Sequence, residues 1–434
     1  MSNNQNPDQN VYKNLPAAAA SYCVGGMGVH WTCATPRQHP EIERYNPTEE
    51  TIKWDKLYNE AEELLKVNSN LFDDSIRNKV VRKILKETYP NLPEGYETNN
   101  LPLAAELNQH CKEFVYWSGT DVILGEELLK MLDDPTQKRF LLKPQWRCIK
   151  LVSEPGTIIG AEVQNLMENE VLVINAKTYV LAAGAVLTPQ ILFNSGIRPP
   201  VLGQYLCEQP MTFCQIVLLQ SIVDDIGKRV KRMKLALNPD DPIPIPIDDP
   251  PPQCWIPVSE GRPWHCQVHR DAFSYGGVTP NVDNRLIVDL RWFGRIEPRK
   301  ENCVTFSDKY TDAFGMPQPT FNFEMTKKDA ERQHEMLEDM LKCAAALGGF
   351  LPGSEPSFME PGLALHITGT TRMGEKNDGE SVVDTYSKVW GYDNLYIGSC
   401  GVIPTGTACN PTLTAVALAI RACKKILRDS QPRK

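Results

Sequence analysis

His366-Ile367-Thr368-Gly369-Thr370-Thr371-Arg372-Met373-Gly374 is followed by Val383-Asp384, Asn394-Leu395-Tyr396-Ile397-Gly398, Ile403-Pro404-Thr405 and Asn410-Pro411-Thr412. The final helix opens at Asn410-Pro411 and carries Leu413, Val416, Ala417, Ile420 and Ile426 on one side. A neutral imidazole with an ordinary pKa of about 6.5 can take a proton at working pH, and an Asn amide can donate to an oxygen on which charge develops. Taken singly, His366 reads as a satisfied core histidine and Asn410 as an N-cap before Pro411. The motifs around them turn the pair into a candidate catalytic centre.

Upstream of this series the chain reads as an enzyme-sized globular protein. Its 434 residues set a prior of two to three domains, and 41% hydrophobic with 23% charged residues is ordinary globular usage. Lys+Arg number 46 against 54 Asp+Glu, a formal net charge of -8 with no dense basic run, so nucleic acid is not an expected partner. No stretch of about 18 apolar residues is present, and MSNNQNPDQN lacks the layout of a secretory signal. The 13 cysteines form no C-x-x-C pair and read as reduced structural thiols.

Asn46-Pro47-Thr48-Glu49 predicts a helix start, with Ile52, Leu57, Ala61, Leu64 and Leu65 on one face. A second helix is expected over Ile76, Val80, Val81, Ile84 and Leu85. From Trp146 to Gly184, Val/Ile-rich runs broken at Glu154-Pro155-Gly156 and Glu168-Asn169-Glu170 predict a β-meander, its last strand Tyr179–Ala185 leading through Thr188-Pro189 into a short helix closed by Gly196. Asn238 to Pro252 is a Pro/Asp tract expected to be an exposed loop or lobe. Strand texture returns at Arg285–Phe293, and Lys327–Leu347 predicts an amphipathic helix ending before Gly348-Gly349.

The C-terminal series resembles the signature of the glucose-methanol-choline (GMC) flavin oxidoreductases. Gly184-Ala185-x-x-Thr188-Pro189-Gln190-Ile191-Leu192-x-x-Ser195-Gly196-Ile197 resembles that superfamily's second signature, with Arg198 where a glycine usually closes it. Two further segments are similar to the family of fungal pyranose oxidases: Val24-Gly25-Gly26-Met27-Gly28-Val29-His30-Trp31-Thr32-Cys33-Ala34-Thr35-Pro36-Arg37, and Pro263–Gly276 with its Trp264-His265-Cys266-Gln267-Val268-His269 run. The likeness covers almost the whole chain from about Asn6 onward. Gly28-Val29 departs from the Ser-Thr expected before His-Trp-Thr.

That resemblance implies FAD as cofactor, attached covalently through His30, with Thr32 close to the reactive ring and Gly401, Pro411 and Thr412 also on the cofactor. It implies His366 as base with Asn410 beside it, Gln267, His269, Asp271 and Arg291 around the sugar, and Phe273-Ser274-Tyr275 as a gate. The implied reaction is oxidation of D-glucose and other aldopyranoses at C2 to 2-keto sugars, with O2 or a quinone as acceptor and H2O2 as the product from O2. Assembly as a homotetramer, and a fungal secretory, periplasmic or extracellular setting, are further family implications. Read without the family, His265, His269 and Asp271 could also ligate a metal; no fourth ligand accompanies them, so no metal is expected. Another GMC alcohol or sugar dehydrogenase, and a non-catalytic remnant serving as an interaction module, are the alternatives.

A G-x-G-x-x-G after an early strand, with an acidic residue about 20 positions on, would be expected for the dinucleotide. The sequence contains none, and only some twenty residues separate Asn6 from His30. The expected fold is therefore α/β with α+β texture: a GMC-type flavin domain lacking its N-terminal ADP-binding portion, and a substrate domain with a six-strand-like antiparallel sheet, the strand number being implied by the family. The expected divisions are 1–45 (polar N-terminus and flavin-attachment segment), 46–120 (helical insertion and start of the substrate domain), 121–200 (meander and strand-turn-helix), 201–345 (substrate domain with the Pro-rich lobe) and 346–434 (C-terminal catalytic and flavin segment).

Overall fold

The computed structural model describes residues 6–111, 114–134, 136–235, 240–269 and 282–431. In chain order these form α1 (Trp54–Leu65), β1 (Val67–Asn68), α2 (Ile76–Thr88), β2 (Asn99–Asn100), β3 (Leu103–Leu107), β4 (Val115–Trp117), α3 (Thr120–Leu132), β5 (Trp146–Glu154), β6 (Thr157–Asn165), β7 (Glu170–Ile174), β8 (Tyr179–Leu181) and α4 (Gly184–Asn194). Then come β9 (Met211–Leu218), α5 (Gln220–Arg232), β10 (Gln253–Ile256), β11 (Trp264–His269), β12 (Ile287–Gly294), β13 (Cys303–Thr311), β14 (Pro317–Asn322), α6 (Lys327–Leu347), β15 (Gly348–Phe350), β16 (Ser357–Phe358), β17 (Leu395–Ile397) and α7 (Thr412–Ser430). Among the described residues no helix is long and apolar enough to cross a membrane.

The largest sheet has the order β15-β9-β12-β11-β10-β2, with β16 also paired to β9. Among the described residues six strands form the main path and a seventh sits off it, one more than the six-strand-like sheet that the family implies. Every pairing in it is antiparallel. Because side chains alternate along a strand, one face presents Cys254, Ile256, Cys266, Val268, Val288, Leu290, Trp292, Cys214 and Ile216, all buried with residues of α2, α5 and α6. Each fully buried Leu or Ile on that face contributes about 1.5–3 kcal/mol. The alternate positions His265, Gln267, His269, Asp289, Arg291 and Gln215 are polar and equally buried. Asp339 on α6 pins the apolar face by accepting from Trp264 Nε1 (3.1 Å) and Trp292 Nε1 (2.9 Å), beside the Arg262 guanidinium. Two of the three strands carrying the polar row, β11 and β12, are therefore held from behind.

A second buried cluster joins α1 to α7 and to β5, β6, β8, α4 and β17. Four local expectations change here. The first helix begins at Trp54, not at Asn46-Pro47, and Lys53 gives it no side-chain cap. Glu375 accepts from Thr48 Oγ1 (2.9 Å) and Glu49 N (2.5 Å), which draws the would-be first turn onto another part of the chain. The meander closes as β5-β6-β7, whereas the strand at Tyr179 leaves it to pair in parallel with β17, Tyr179 opposite Leu395.

The described part of the Pro/Asp tract makes no ladder, yet it is a packed strap. Ile245 is fully buried in the helical core, and Asp249 accepts from Ile76 N (2.7 Å) and pairs with Arg77 (3.0 Å) at the start of α2. The short helix after β8 starts at Gly184, ahead of Thr188-Pro189, with Pro189 inside it. The expectations for α2, α6 and the turn at Gly156 hold as stated.

Candidate active site

Asn410 stands just before α7, whose N-cap position is Pro411, and its side chain makes no cap bond. Both ends of its amide are used elsewhere. Oδ1 accepts from Gln267 Nε2 (2.8 Å), and Nδ2 faces His366 Nε2 at 3.3 Å. The N-cap reading of Asn410 is thereby replaced by a tertiary one. Gln267 Nε2 lies also 2.9 Å from His265 Nε2, and His366 Nδ1 is 2.8 Å from Gln209 Oε1. Gln209 Nε2 in turn donates to the Cys409 carbonyl (2.7 Å).

Backbone geometry places the imidazole. Leu365, immediately before it, has φ 60°, a left-handed conformation uncommon for a residue with a γ-branched side chain. Glu208 accepts from His366 N with both carboxylate oxygens at 3.1 Å. Gly369 has φ 86°, and a Cβ there would lie 2.0 Å from the Tyr205 carbonyl oxygen, so only glycine fits this turn. On its open side the His366 ring tilts against Phe293 of β12, centroids 5.5 Å apart. Phe293 stacks in turn on His265 at 5.0 Å.

The loop carrying Asn410 is clamped by one carboxylate. Glu43 is fully buried; its Oε1 accepts from Ala408 N (2.6 Å), Cys409 N (3.1 Å) and Thr407 Oγ1 (3.1 Å), and its Oε2 accepts from His39 N (2.8 Å). The segment running back from Glu43 to Thr32 continues to the Gly-rich turn Gly26–Val29 that ends at His30. His30 is exposed and Thr32 half-buried. Trp31 Nε1 donates to Ser118 O (2.7 Å) and fixes that stretch.

The structure thus joins His366, Asn410 and Gln267 in one hydrogen-bonded chain, with Arg291 opposite Gln267 across the β11–β12 ladder. His269, two positions along β11, bonds through Nδ1 to Gln253 Oε1 and meets Trp117 edge-on. Pro411 and Thr412 form the mouth of α7, and Gly401 lies buried against Thr370 and Thr371. His30 and Thr32 are not members of the chain. Asp271 and the Phe273-Ser274-Tyr275 triplet lie outside the described residues. Glu208, Gln209 and Glu43 were not among the sequence candidates. The one signal for the first two is a polar pair, Glu208-Gln209 before Pro210, set between the apolar Val201–Leu206 stretch and the buried β9.

Burial pushes the His366 pKa down to about 3, and burial with the neighbouring His366 does the same to His265. Both rings are neutral at working pH. Burial pushes Glu208 up to about 8, against the opposing backbone bonds from Gln209 and His366. As pH falls from 6.5 toward 3 the unfolded chain takes up two imidazole protons that the folded chain refuses, so stability is lost. As pH rises from 4.5 through 8 the folded chain keeps a carboxyl proton that the unfolded chain has released, and stability is again lost. Two histidines outweigh one carboxyl below 6.5, so these three groups place a maximum near that pH. Thermal unfolding across the range checks this: Glu208→Gln should flatten the alkaline decline, and an unaltered decline would contradict the assignment.

A family profile described as GMC oxidoreductase matches residues 43–211, and a second of the same description matches residues 298–419. A pyranose 2-oxidase of Emericella nidulans is 44% identical over 98% of this chain and 75% of its own length. The chain belongs to the GMC oxidoreductase family. A C-glycoside 3-oxidase of Arthrobacter globiformis is 32% identical over 96% of this GMC chain and 76% of its own. A solved variant of the Aspergillus oryzae formate oxidase shares the fold, with TM-score 0.67 over 94% of this chain and 84% of its own at 14% identity. Being a GMC oxidoreductase, the chain is an enzyme of redox chemistry, and the two profiles take in Glu208, Gln209, His366 and Asn410.

Proposed function

We propose that this GMC oxidoreductase binds FAD and oxidises aldopyranoses such as D-glucose at C2 to 2-keto sugars, with O2 as electron acceptor and H2O2 as its product. The observation that carries this is the neutral His366 Nε2 and the Asn410 amide converging at 3.3 Å beside a buried polar row. The 44% identity to a protein named pyranose 2-oxidase supports the sugar class.

The residues present suit a flavin ring. Gln38 is 2% exposed with neither side-chain polar atom partnered among the described residues, and the same holds for the buried Thr368 and Thr371 hydroxyls. A buried polar group without a partner costs about 1–3 kcal/mol, so such atoms suit the polar edge of a heterocycle. The start of α7 carries about half a positive elementary charge and favours negative charge at its mouth. Pro411, Thr412 and Gly401 would line the ring, and His30, on its exposed Gly-rich turn, would anchor it covalently with Thr32 next to it. Acid precipitation of the FAD-loaded protein should leave a yellow pellet that His30→Ala abolishes. A colourless wild-type pellet would remove the covalent link while leaving FAD binding intact.

Bound FAD supplies the hydride acceptor. The chain's own residues do the rest. His366 Nε2 accepts the C2 hydroxyl proton, while Asn410 Nδ2 donates to the same oxygen as its charge grows. The 3.3 Å contact between them is long for a hydrogen bond and opens to admit that hydroxyl. Arg291 and Gln267, opposite each other on adjacent strands, would hold the ring with C2 foremost, with His269 and Asp271 as further sugar contacts. The Asp339 clamp keeps those strands in register from the other face.

The test is oxidation of D-glucose by the FAD-loaded chain, followed by identification of the keto carbon and of H2O2. Oxidation at C3 would move the chain toward the chemistry named for its C-glycoside 3-oxidase relative, and electron transfer to a quinone but not to O2 would replace the acceptor.

A further inference from the structure

We infer that Gln209 is the positioning residue that sets the proton on His366 Nδ1 and so leaves Nε2 bare; this rests on the reading of His366 as the base. The Cys409 backbone oxygen can only accept, so the Gln209 atom 2.7 Å away must be its NH2 group. The reverse amide orientation would set two oxygens against each other.

With the amide so fixed, Oε1 faces His366 Nδ1 at 2.8 Å. An oxygen acceptor there demands a ring N–H, and a neutral imidazole carries only one. The proton is therefore on Nδ1, and the lone pair is on Nε2. The remaining bonds share this direction: Asn410 Nδ2 points at Nε2, and Asn410 Oδ1 accepts from Gln267, whose other hydrogen reaches His265 Nε2.

The direction of the whole chain is thus set at one end by a main-chain oxygen that cannot titrate. Cys409 is held in place by Glu43 through its own N–H, so the anchor is itself clamped. The titratable and charged groups around the ring do not compete for this role. Glu208 bonds to the His366 backbone, His265 lies at the far end behind Gln267, and Arg291 sits across from Gln267. Burial pushes the thiols of Cys400 and Cys409 up, so neither is ionised at working pH.

The test reads the tautomer directly, with no cofactor or sugar present. In the chain labelled with 15N-histidine, one-bond N–H couplings show which His366 nitrogen carries the proton, the signal being assigned by its loss in His366→Gln. The expected result near neutral pH is a protonated Nδ1 and a bare Nε2. Gln209→Met should spread the proton over both nitrogens, and in the loaded enzyme should slow substrate oxidation about 10- to 100-fold, by analogy with removal of the partner that orients a metal-ligating imidazole.

Gln209→Glu keeps an acceptor at Nδ1, so it should keep the tautomer while moving the acid limb of the rate to higher pH. A wild-type ring protonated at Nε2, or an Nδ1 proton unmoved in Gln209→Met, would overturn the inference. If Gln209→Met does not fold, the wild-type couplings and Gln209→Glu still decide it. Failure of the base reading looks different: the couplings would stand while His366→Ala stayed fully active.

Discussion

His366→Ala should slow the anaerobic reduction of bound FAD by D-glucose about 100- to 10,000-fold, the usual range for removal of a general base. Alanine takes away the proton acceptor and leaves Asn410 Nδ2 without a partner, but Gln209 keeps its bond to the Cys409 carbonyl and Glu208 keeps the backbone N–H. The fold around the site should therefore survive, and the loss should fall on the chemical step. In the wild type, burial holds the imidazole pKa at about 3. Its rate should consequently stay high well below pH 6.5 and decline only as the ring protonates. Stopped-flow reduction of the variant within about tenfold of wild type would take His366 out of the base role.

Glu43→Ala should have the largest effect on stability. It strips the partner from four donors at once, His39 N, Thr407 Oγ1, Ala408 N and Cys409 N, in a place where water cannot readily replace it. A buried donor left without its acceptor costs about 1–3 kcal/mol, so losing several at once is severe. The same loop carries Asn410 and the carbonyl that orients Gln209, so oxidation should fall as well. Glu43→Gln retains one acceptor oxygen and should cost less. The denaturant midpoint is the measurement; a shift for Glu43→Ala worth under about 1 kcal/mol would show that the loop holds its shape without the carboxylate.

What could be read from the sequence was local or repeated in motifs. α6 stops at Gly348 as its glycine pair requires, α2 follows its apolar spacing, and the meander turns where Pro155-Gly156 and Glu168-Asn169 stand. The pairing of His366 with Asn410, proposed from flanking motifs, is present as a contact. The failures came from distant partners. Glu375 unwinds the start expected at Asn46-Pro47, across more than three hundred residues of chain. β17 takes β8 out of the meander, since three-residue parallel strands are defined by what lies beside them. Asn410 before Pro411 reads in sequence as an N-cap, but Pro411 takes that position and the Asn410 amide bonds to Gln267 and His366. Glu43 gave no periodic or motif signal and Gln209 only the polar pair it forms with Glu208, because a Gln or Glu in sequence does not show which buried group it will meet.

Deuterium labelling distinguishes oxidation of an aldopyranose at C2 by this chain with bound FAD from oxidation at another carbon. The FAD-loaded protein is mixed anaerobically with D-glucose carrying deuterium at C2 or, separately, at C3, and bleaching of the flavin is followed. Both sugars should reduce the flavin, and only the C2 label should slow it. Slowing by the C3 label alone, or no bleaching with any aldopyranose, would contradict oxidation at C2.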